Sequence, residues 1–218
     1  MSAPLIVFSG LDGAGKTTQI DLLVEDFRRR GLRPYRIWIR GGYTPIFEAA
    51  KRLLRRSPVT VLPPSGPSEA RSRGLSGKRL DIWLMLSILE LLIICGLVIR
   101  ALRAIGRPVI CDRYIHDTEL DFRLNFPEKT VSNWLIFRFL KRIASKPTSA
   151  LMLLIPVEES LTRSRLKAEP FPDSRETLEH RLAHYRTISN TEQFTMVDCT
   201  QPVAVVAAEI GRTVASSS

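Results

Sequence analysis

The chain has 218 residues, of which 44% are hydrophobic and 25% are charged. This length is enough to bury one substantial core, and this composition excludes wholesale disorder. Lysine and arginine together number 32 against 22 aspartate and glutamate residues, which gives a formal net charge of +10. Such an excess of positive charge suits an anionic partner, whether nucleotide phosphates, nucleic acid or an acidic membrane surface.

The three cysteines, Cys95, Cys111 and Cys199, are far apart in the sequence and lack the spacing of metal ligands. An odd number of scattered cysteines is typical of a reduced, intracellular protein. Pro4 to Phe8 lead directly into a glycine-rich segment with no basic stretch before them, so the N-terminus does not resemble a signal peptide. We therefore expect a cytoplasmic protein.

Short apolar runs, typical of buried strands, alternate with helical patterns along the chain. The predicted strands cover 5–8, 35–39, 108–111, 150–157 and 194–197. The predicted helices cover 16–30, 46–56, 80–104, 134–143, 158–167, 174–188 and 203–214. This alternation predicts an α/β fold on a parallel sheet, formed by a single domain of residues 1–218.

Two segments between these elements are predicted to be loops. Residues 57–78 are rich in proline, serine, glycine and arginine, which is typical of a mobile surface loop. Asp117, Glu119 and Asp121 follow the third predicted strand, and we interpret them as a solvated acidic loop. A role of these acids in ligand binding is the alternative.

Residues 10–17 read Gly-Leu-Asp-Gly-Ala-Gly-Lys-Thr and fit the phosphate-loop pattern GxxxxGK[ST] in full. A predicted strand comes before this segment and a predicted helix begins at Lys16, which is the context that the pattern requires. The glycines allow backbone N–H groups to turn toward phosphate oxygens, and the helix N-terminus adds the positive end of its dipole. A glycine turn with a purely structural role is the alternative. The residues predicted to bind ATP phosphates are Gly10, Leu11, Asp12, Gly13, Ala14, Gly15, Lys16, Thr17 and Thr18.

Four side chains expected near the phosphate loop are of the kinds that phosphoryl transfer requires. The Lys16 ammonium is expected at the β- and γ-phosphates, and the Thr17 hydroxyl at Mg²⁺. Asp112 ends the third strand, where P-loop enzymes place a second carboxylate directed at Mg²⁺. The neighbouring Arg113 supplies a guanidinium suited to bidentate phosphate contact. A surface ion pair is the alternative for Asp112 and Arg113, but the phosphate loop nearby favours the functional interpretation.

Four segments resemble the thymidylate kinases. Phe8 to Gln19 is similar to their opening, and Val109 to Tyr114 matches their DR[YFH] motif. Arg40 to Pro45 loosely resembles their REPGGTP segment, and Val157 to Arg165 resembles the start of their LID region, about 158–175 in this chain. The resemblance implies a P-loop kinase fold with a parallel five-stranded sheet of order 2-3-1-4-5, helices on both faces and a homodimer. It also implies phosphoryl transfer from ATP, with Mg²⁺, to a nucleoside monophosphate, by default dTMP.

The resemblance also implies roles for individual residues. Family members carry a charge-stabilising arginine in the P-loop or in the LID, and this P-loop has none, which leaves Arg163 or Arg165 for the role beside Lys16 and Arg113. By resemblance, Asp12 accepts a hydrogen bond from the 3′-hydroxyl of the acceptor sugar. A phosphate acceptor is already ionised near neutral pH, so this reaction needs no general base. The residues expected to bind the acceptor are Asp12, Arg40 and Arg113.

The helix before the DR[YFH] motif departs from the family pattern. Thymidylate kinases usually carry there a phenylalanine that stacks on thymine and an arginine one turn later, whereas this chain has Ser87 and Leu91. The sequence offers Trp83 and Arg79 as substitutes. One alternative is therefore a kinase of the same fold acting on a sugar or a lipid-linked acceptor, and another is a P-loop switch protein that binds nucleic acid or membrane.

The same helix, over 82–99, approaches the length of a membrane span and is followed by Arg100, Arg103 and Arg107. A span is not expected, because the helix lies between two strands that must share one sheet. We expect a helix covered by the sheet on one side and by a dimer partner on the other. Peripheral membrane contact is not favoured, and no nucleic-acid partner is expected.

Overall fold

The computed structural model describes residues 2–39, 77–167, 172–191 and 194–217. Backbone contacts divide the chain into two compact units. The first unit comprises Met1–Trp38, Ala101–Tyr114 and Lys146–Ser218, and the second comprises Ile39–Arg100 and Ile115–Ser145. A single domain therefore stays a prediction. The predicted helix over 46–56 and almost all of the loop predicted over 57–78 lie outside the described residues.

The first unit contains a five-stranded sheet in which all neighbouring strands are parallel. The strands are β1 (Leu5–Gly10), β2 (Tyr35–Trp38), β3 (Val109–Asp112), β4 (Ser149–Leu154) and β5 (Thr195–Asp198). Their order in the sheet is β2-β3-β1-β4-β5, which confirms the predicted fold class and strand order. Every residue of β1 and β3 is buried. Because successive strand side chains point to opposite faces, helices must cover both faces of the sheet centre.

The helices are α1 (Lys16–Arg29), α2 (Gly77–Ile93), α3 (Ile99–Ala104), α4 (Ile115–Asn125), α5 (Leu135–Ile143), α6 (Val157–Leu166), α7 (Arg175–Thr191) and α8 (Val203–Ser216). In α1, Ile20, Leu23 and Phe27 recur every three or four residues and are buried on one face. Gly31, with a φ of 78°, ends this helix, and the Leu32 N–H donates to Phe27 O at 2.9 Å. α1 then packs on β1, β3 and α8.

In the second unit, α2 begins at Gly77, three residues before the predicted start, and continues through a π-helical segment, Ile94–Val98, into α3. The π-helical segment adjoins the end of α5. Cys95 O accepts a hydrogen bond from the Ser145 N–H at 3.2 Å, and a Cβ atom on Gly96 would lie 3.0 Å from Ile143 Cδ1. The widened turn thus frees a carbonyl group for a partner outside the helix, as π-bulges commonly do.

Aromatic side chains from three helices form the core of the second unit. The Trp83 ring on α2 lies 6.5 Å from Phe122 and 5.7 Å from Phe126, measured between ring centroids. Phe122 in turn lies 6.4 Å from Phe137 on α5, in an edge-to-face arrangement. Pairs of this geometry stabilise a core beyond the effect of their buried area.

The predicted acidic loop is wrong. Asp117, Glu119 and Asp121 lie on α4 and are buried, with exposed fractions of 0%, 6% and 6%. Glu119 shows how a buried carboxylate is stabilised, because it accepts hydrogen bonds from Arg123 at 2.6 Å and from Lys141 at 3.0 Å. Burial raises the pKa of Glu119, but the two cations outweigh burial and hold this pKa below its ordinary value.

The segment Leu80–Ala104 is, in the described part of the chain, the one helix long and apolar enough to cross a membrane, with a mean hydropathy of 2.7 over its most apolar window. Of that window, 56% is buried inside the structure. A buried core helix passes the same test of length and composition, so this feature is weak support for a span. β2 and β3, which come before and after the segment, pair directly in the sheet.

Candidate active site

The phosphate loop joins β1 to α1 through a turn that requires glycine. Gly10, Gly13 and Gly15 have φ angles of 135°, 77° and 82°, a region that glycine adopts at little cost. A Cβ atom on Gly10 would lie 2.0 Å from Leu153 O on the neighbouring strand β4. The close approach of the two backbones therefore excludes any side chain at this position, and the loop follows the path expected of a phosphate-binding turn.

Lys16 is buried at the start of α1, with its ammonium group inside the loop. Its Nζ donates to Gly10 O at 3.0 Å and to Leu11 O at 2.7 Å. The Asp12 carboxylate lies 3.6 Å away. These contacts keep a positive charge next to the turn in which the sequence predicts the ATP phosphates.

Arg113 brings a second cation to the loop. Its Nη2 donates to Asp12 Oδ1 at 2.5 Å, although the two residues are 101 positions apart in the sequence. The Arg113 backbone has a φ of 70°, which is uncommon outside glycine and recurs at functional sites. Its N–H donates to Phe8 O at 2.8 Å, because β1 and β3 are adjacent and in register from Leu5 to Phe8. The structure thus places two of the predicted acceptor-binding residues in direct contact.

Asp112 ends β3 and is buried, as the sequence predicts for the carboxylate directed at Mg²⁺. Arg36 on β2 lies beside it, with Nη2 at 3.4 Å from Asp112 Oδ2 and Nη1 at 2.8 Å from Asp21 Oδ1. Thr17 is exposed in the first turn of α1. A hydroxyl and a carboxylate are oxygen donors of the kind that Mg²⁺ prefers, and Mg²⁺ commonly takes its other ligands from phosphates and water. The donor set therefore fits this ion.

The LID arginines differ in their surroundings. Arg163 Nη1 donates to Gly13 O at 3.1 Å, and its Nη2 donates to Cys199 O at 3.0 Å and to Glu159 Oε1 at 2.5 Å. Arg165 is exposed. Arg163 is therefore fixed against the phosphate loop, whereas Arg165 lies open to solvent. Residues 168–171 of the predicted LID lie outside the described residues.

A cavity of about 310 Å³ opens beside the phosphate loop, at the lower end of the size range of small-molecule sites. The turn between β5 and α8 forms one wall, and α6 forms another. Burial raises the pKa of the Cys199 thiol in this wall to about 12, so the thiol stays protonated and unreactive at neutral pH. A groove of about 490 Å³ at the edge of β5 has no phosphate-loop residue in its lining. The residues that line the smaller cavity are Gly13, Ala14, Gly15, Thr18, Gln19, Arg163, Leu166, Lys167, Cys199, Gln201, Val203 and Val206.

Comparison with known proteins identifies the family. No protein-family model matches the chain. A probable thymidylate kinase of Pyrococcus horikoshii is 30% identical over 170 residues, which cover 77% of this chain and 72% of the relative. The chain belongs to the thymidylate kinase family. A probable thymidylate kinase of Thermococcus kodakarensis is 31% identical over 160 residues, which cover 73% of this chain and 70% of the relative.

Membership of the thymidylate kinase family makes the chain a phosphotransferase of the nucleoside-monophosphate kinase type. The family uses ATP as the phosphate donor, usually with Mg²⁺, and a nucleotide as the acceptor. The phosphate loop, Lys16 and the cavity beside them agree with this assignment. The roles of the individual residues stay predictions.

The positions that departed from the thymidylate kinase pattern in the sequence are buried in the second unit. Ser87 and Leu91 are both 0% exposed, and Ser87 Oγ donates to Trp83 O at 2.8 Å. Trp83 is 2% exposed and packs in the aromatic core, so it is a core residue and not an open stacking surface. Arg40 lies outside the described residues.

Sequence reasoning missed three features of this thymidylate kinase-type site. Arg36 lies beside Asp112 in the structure, but in the sequence it is only a cation within a short predicted strand. Ser160 on α6, which donates to Asp12 O at 2.6 Å, lies in the segment that resembles the LID region, but the resemblance gives it no role. The turn from Cys199 to Gln201 follows the last strand and is recognisable as a ligand wall only once β5 and α8 are placed beside α1.

Proposed function

We propose that the chain transfers the γ-phosphoryl group of ATP to a nucleoside monophosphate, with dTMP as the default acceptor. The observation that carries this proposal is the Asp12 carboxylate, which lies 2.5 Å from the Arg113 guanidinium and 3.6 Å from the Lys16 ammonium. Cations grouped next to a glycine turn stabilise the charge of a transferring phosphoryl group. Asp12 supplies an acceptor for a hydroxyl of the second substrate. The names of both relatives support dTMP.

The remaining residues of the site each bind a different part of ATP or its metal ion. The cavity beside the phosphate loop suits the nucleoside part, with Arg163 and the turn after β5 as its walls. Thr17 and Asp112 would hold Mg²⁺, which neutralises phosphate charge when it is bound. Lys16 binds the β- and γ-phosphates, and Arg165 is free to approach the γ-phosphate from α6. Because the acceptor phosphate is already ionised, positioning and charge are sufficient for the reaction.

The test of this proposal is a screen of acceptors in a coupled assay of ADP release. We expect ATP turnover that depends on a nucleoside monophosphate, with kcat/KM for dTMP below the ordinary range of about 10⁴–10⁸ M⁻¹s⁻¹. The reason is that Ser87 and Leu91 supply neither a ring nor a charge, and stacking on a base contributes about 1–3 kcal/mol. Efficient turnover of dTMP would show that other residues replace the aromatic ring and the arginine of the family pattern. Turnover that no nucleoside monophosphate stimulates would contradict the proposal.

A second candidate is a kinase of the same fold with a sugar or a lipid-linked acceptor. It is favoured by the burial of Ser87 and Leu91 and by the apolar character of the segment Leu80–Ala104. An alcohol acceptor must lose a proton during transfer, and Asp12 is the carboxylate near the loop that could accept it. The same assay with sugars and polyprenol-linked acceptors distinguishes the two candidates, since each predicts stimulation by one class alone.

A further inference from the structure

Side chains of helix α6 form hydrogen bonds to the backbone of the phosphate loop. Ser160 Oγ donates a hydrogen bond of 2.6 Å to Asp12 O, and Ser160 is 0% exposed. One turn later, Arg163 Nη1 donates to Gly13 O at 3.1 Å. A Cβ atom on Gly13 would lie 3.3 Å from both Arg163 Cβ and Ser160 O. Two successive peptide groups of the loop therefore lie directly against α6.

The peptide held by Ser160 belongs to Asp12, whose carboxylate lies close to two cations of the site. The Asp12 side chain contacts Arg113 at 2.5 Å and Lys16 at 3.6 Å. An aspartate side chain has only two torsions, so its carboxylate follows any movement of its own backbone. A partly buried carbonyl that loses its hydrogen-bond partner is unfavourable, which favours a shift of the loop toward another partner.

We propose that Ser160 is a positioning residue, whose hydroxyl fixes the Asp12 backbone and thereby the Asp12 carboxylate against Arg113. This inference rests on the proposed function, because it places Asp12 and Arg113 at the acceptor. Ser160 acts through Asp12 and touches neither substrate. The loop N–H groups and Lys16 still bind ATP when the hydroxyl is absent, so its loss affects transfer more than ATP binding.

Replacement of the hydroxyl alone is the first test. We expect Ser160→Ala to lower kcat about tenfold, since a small misplacement of reacting groups has effects of this size or larger, and to change the Kd of ATP less than about threefold. Ser164→Ala is the matched control. Ser164 is also buried, lies one turn further along α6 and makes no hydrogen bond to the phosphate loop in the described residues. Ser160→Cys keeps the size with a weaker donor and should give an intermediate kcat, which provides a second variant if Ser160→Ala folds poorly.

A double-mutant cycle with Asp12→Ala separates positioning from a general structural effect. If Ser160 acts through the carboxylate, Ser160→Ala has less than about a twofold effect on residual kcat once that carboxylate is gone. A full tenfold effect in the Asp12→Ala background would overturn the inference.

The Arg113 side-chain N–H resonance in NMR spectra gives a readout that needs no acceptor. It should shift in Ser160→Ala and stay in place in Ser164→Ala, because only the first change moves the partner of Arg113. An unmoved Arg113 resonance in Ser160→Ala would overturn the positioning role. A shifted resonance in an enzyme that transfers phosphate to no nucleotide would support positioning and contradict the proposed acceptor instead.

Discussion

Lys16 lies inside the turn that its own motif forms, with its ammonium bonded to the carbonyl oxygens of Gly10 and Leu11. Carbonyl oxygens are weaker partners for an ammonium group than phosphate oxygens, which carry a full charge. Binding of ATP can therefore replace these contacts with stronger ones at little cost in side-chain order. The structure therefore holds the Lys16 ammonium close to the place where we predict that it acts.

The first prediction concerns this cation. Lys16→Ala should abolish phosphoryl transfer while leaving the fold intact, because the charge that stabilises the transferring group contributes several kcal/mol, about 3 or more. Transfer is measured by ADP release and the fold by thermal unfolding. Lys146→Ala, at an exposed position, is the control and should keep full activity. Transfer within about tenfold of the wild-type rate would remove the phosphate-loop assignment.

At the scale of elements, α6 forms the first part of the predicted LID and contacts the phosphate loop. Arg163 is bound to the loop and to the turn after β5, and it lines the cavity beside the loop. Arg165, two residues further along the same helix, is exposed. The two arginines implied by the family resemblance therefore occupy different environments, and their contributions to the reaction should differ.

The second prediction separates the two arginines kinetically. Arg163→Ala should raise KM for ATP, because its side chain forms a cavity wall, whereas Arg165→Ala should lower kcat. The double variant should lower kcat by about 10³-fold or more, as loss of an arginine at the transferring phosphoryl group does in related chemistry. Steady-state kinetics with varied ATP provide the measurement. An unchanged kcat in the double variant would shift the charge-stabilising role to Arg113.

Helices α4 and α5 are joined by a buried charge. Glu119 on α4 accepts a hydrogen bond from Lys141 on α5 at 3.0 Å, and its pKa lies below the ordinary 4.5 because the two neighbouring cations outweigh burial. A depressed carboxyl pKa means that the native state favours the charged form. The resulting stabilisation is present above pH 4.5 and is lost as the pH falls through the lowered pKa.

The third prediction uses this pH dependence. Lys141→Met should reduce the free energy of unfolding by about 1 kcal/mol at neutral pH, a modest value because Lys141 is partly exposed and Arg123 remains. The difference from the wild type should shrink at acidic pH, as the pH falls through the lowered pKa of Glu119. Urea unfolding at the two pH values measures both effects. Lys146→Met is the control, and an equal loss at both pH values would contradict the assignment.

At the scale of the whole molecule, one surface of α2 and the π-helical segment after it is apolar and exposed. A patch of this kind on a folded chain commonly marks an interface. The positions recur every three or four residues and so lie on one face of the helix. The predicted homodimer would cover this face. Its exposed side chains are Ile82, Met85, Leu86, Leu89, Ile93 and Leu97.

The fourth prediction tests that interface. Wild-type protein should sediment as a dimer in analytical ultracentrifugation, and the double variant Leu89→Glu/Ile93→Glu should sediment as a monomer, because two charges cannot be buried unpaired in an apolar contact. Leu22→Glu, at an isolated exposed position on α1, is the control and should stay dimeric. A monomeric wild-type protein would contradict the homodimer prediction.

Local patterns in the sequence were sufficient to predict the phosphate-loop turn, the strands and most of the helices. The phosphate loop is contiguous, so its glycines, its lysine and the helix after it appear together in eight residues, 10–17. The strand order came from the family resemblance, and the sheet confirms it. The sequence analysis missed α4 because its acidic residues suggested a solvent-exposed loop. The cations that stabilise Glu119 in its buried position include Lys141, which lies 22 residues further along the chain and gives no local signal.

The sequence by itself determined the phosphate-loop pattern and the fold class, because each depends on residues that are neighbours in the chain or on the periodicity of one element. The kinase chemistry came from the family resemblance. Tertiary structure alone decided which distant groups meet at the loop. Arg36 reaches Asp112 across 76 positions and Ser160 reaches Asp12 across 148. These contacts arise because parallel strands bring their carboxyl ends to one edge of the sheet. The helices that follow the strands therefore begin at that same edge, and their first turns lie close together.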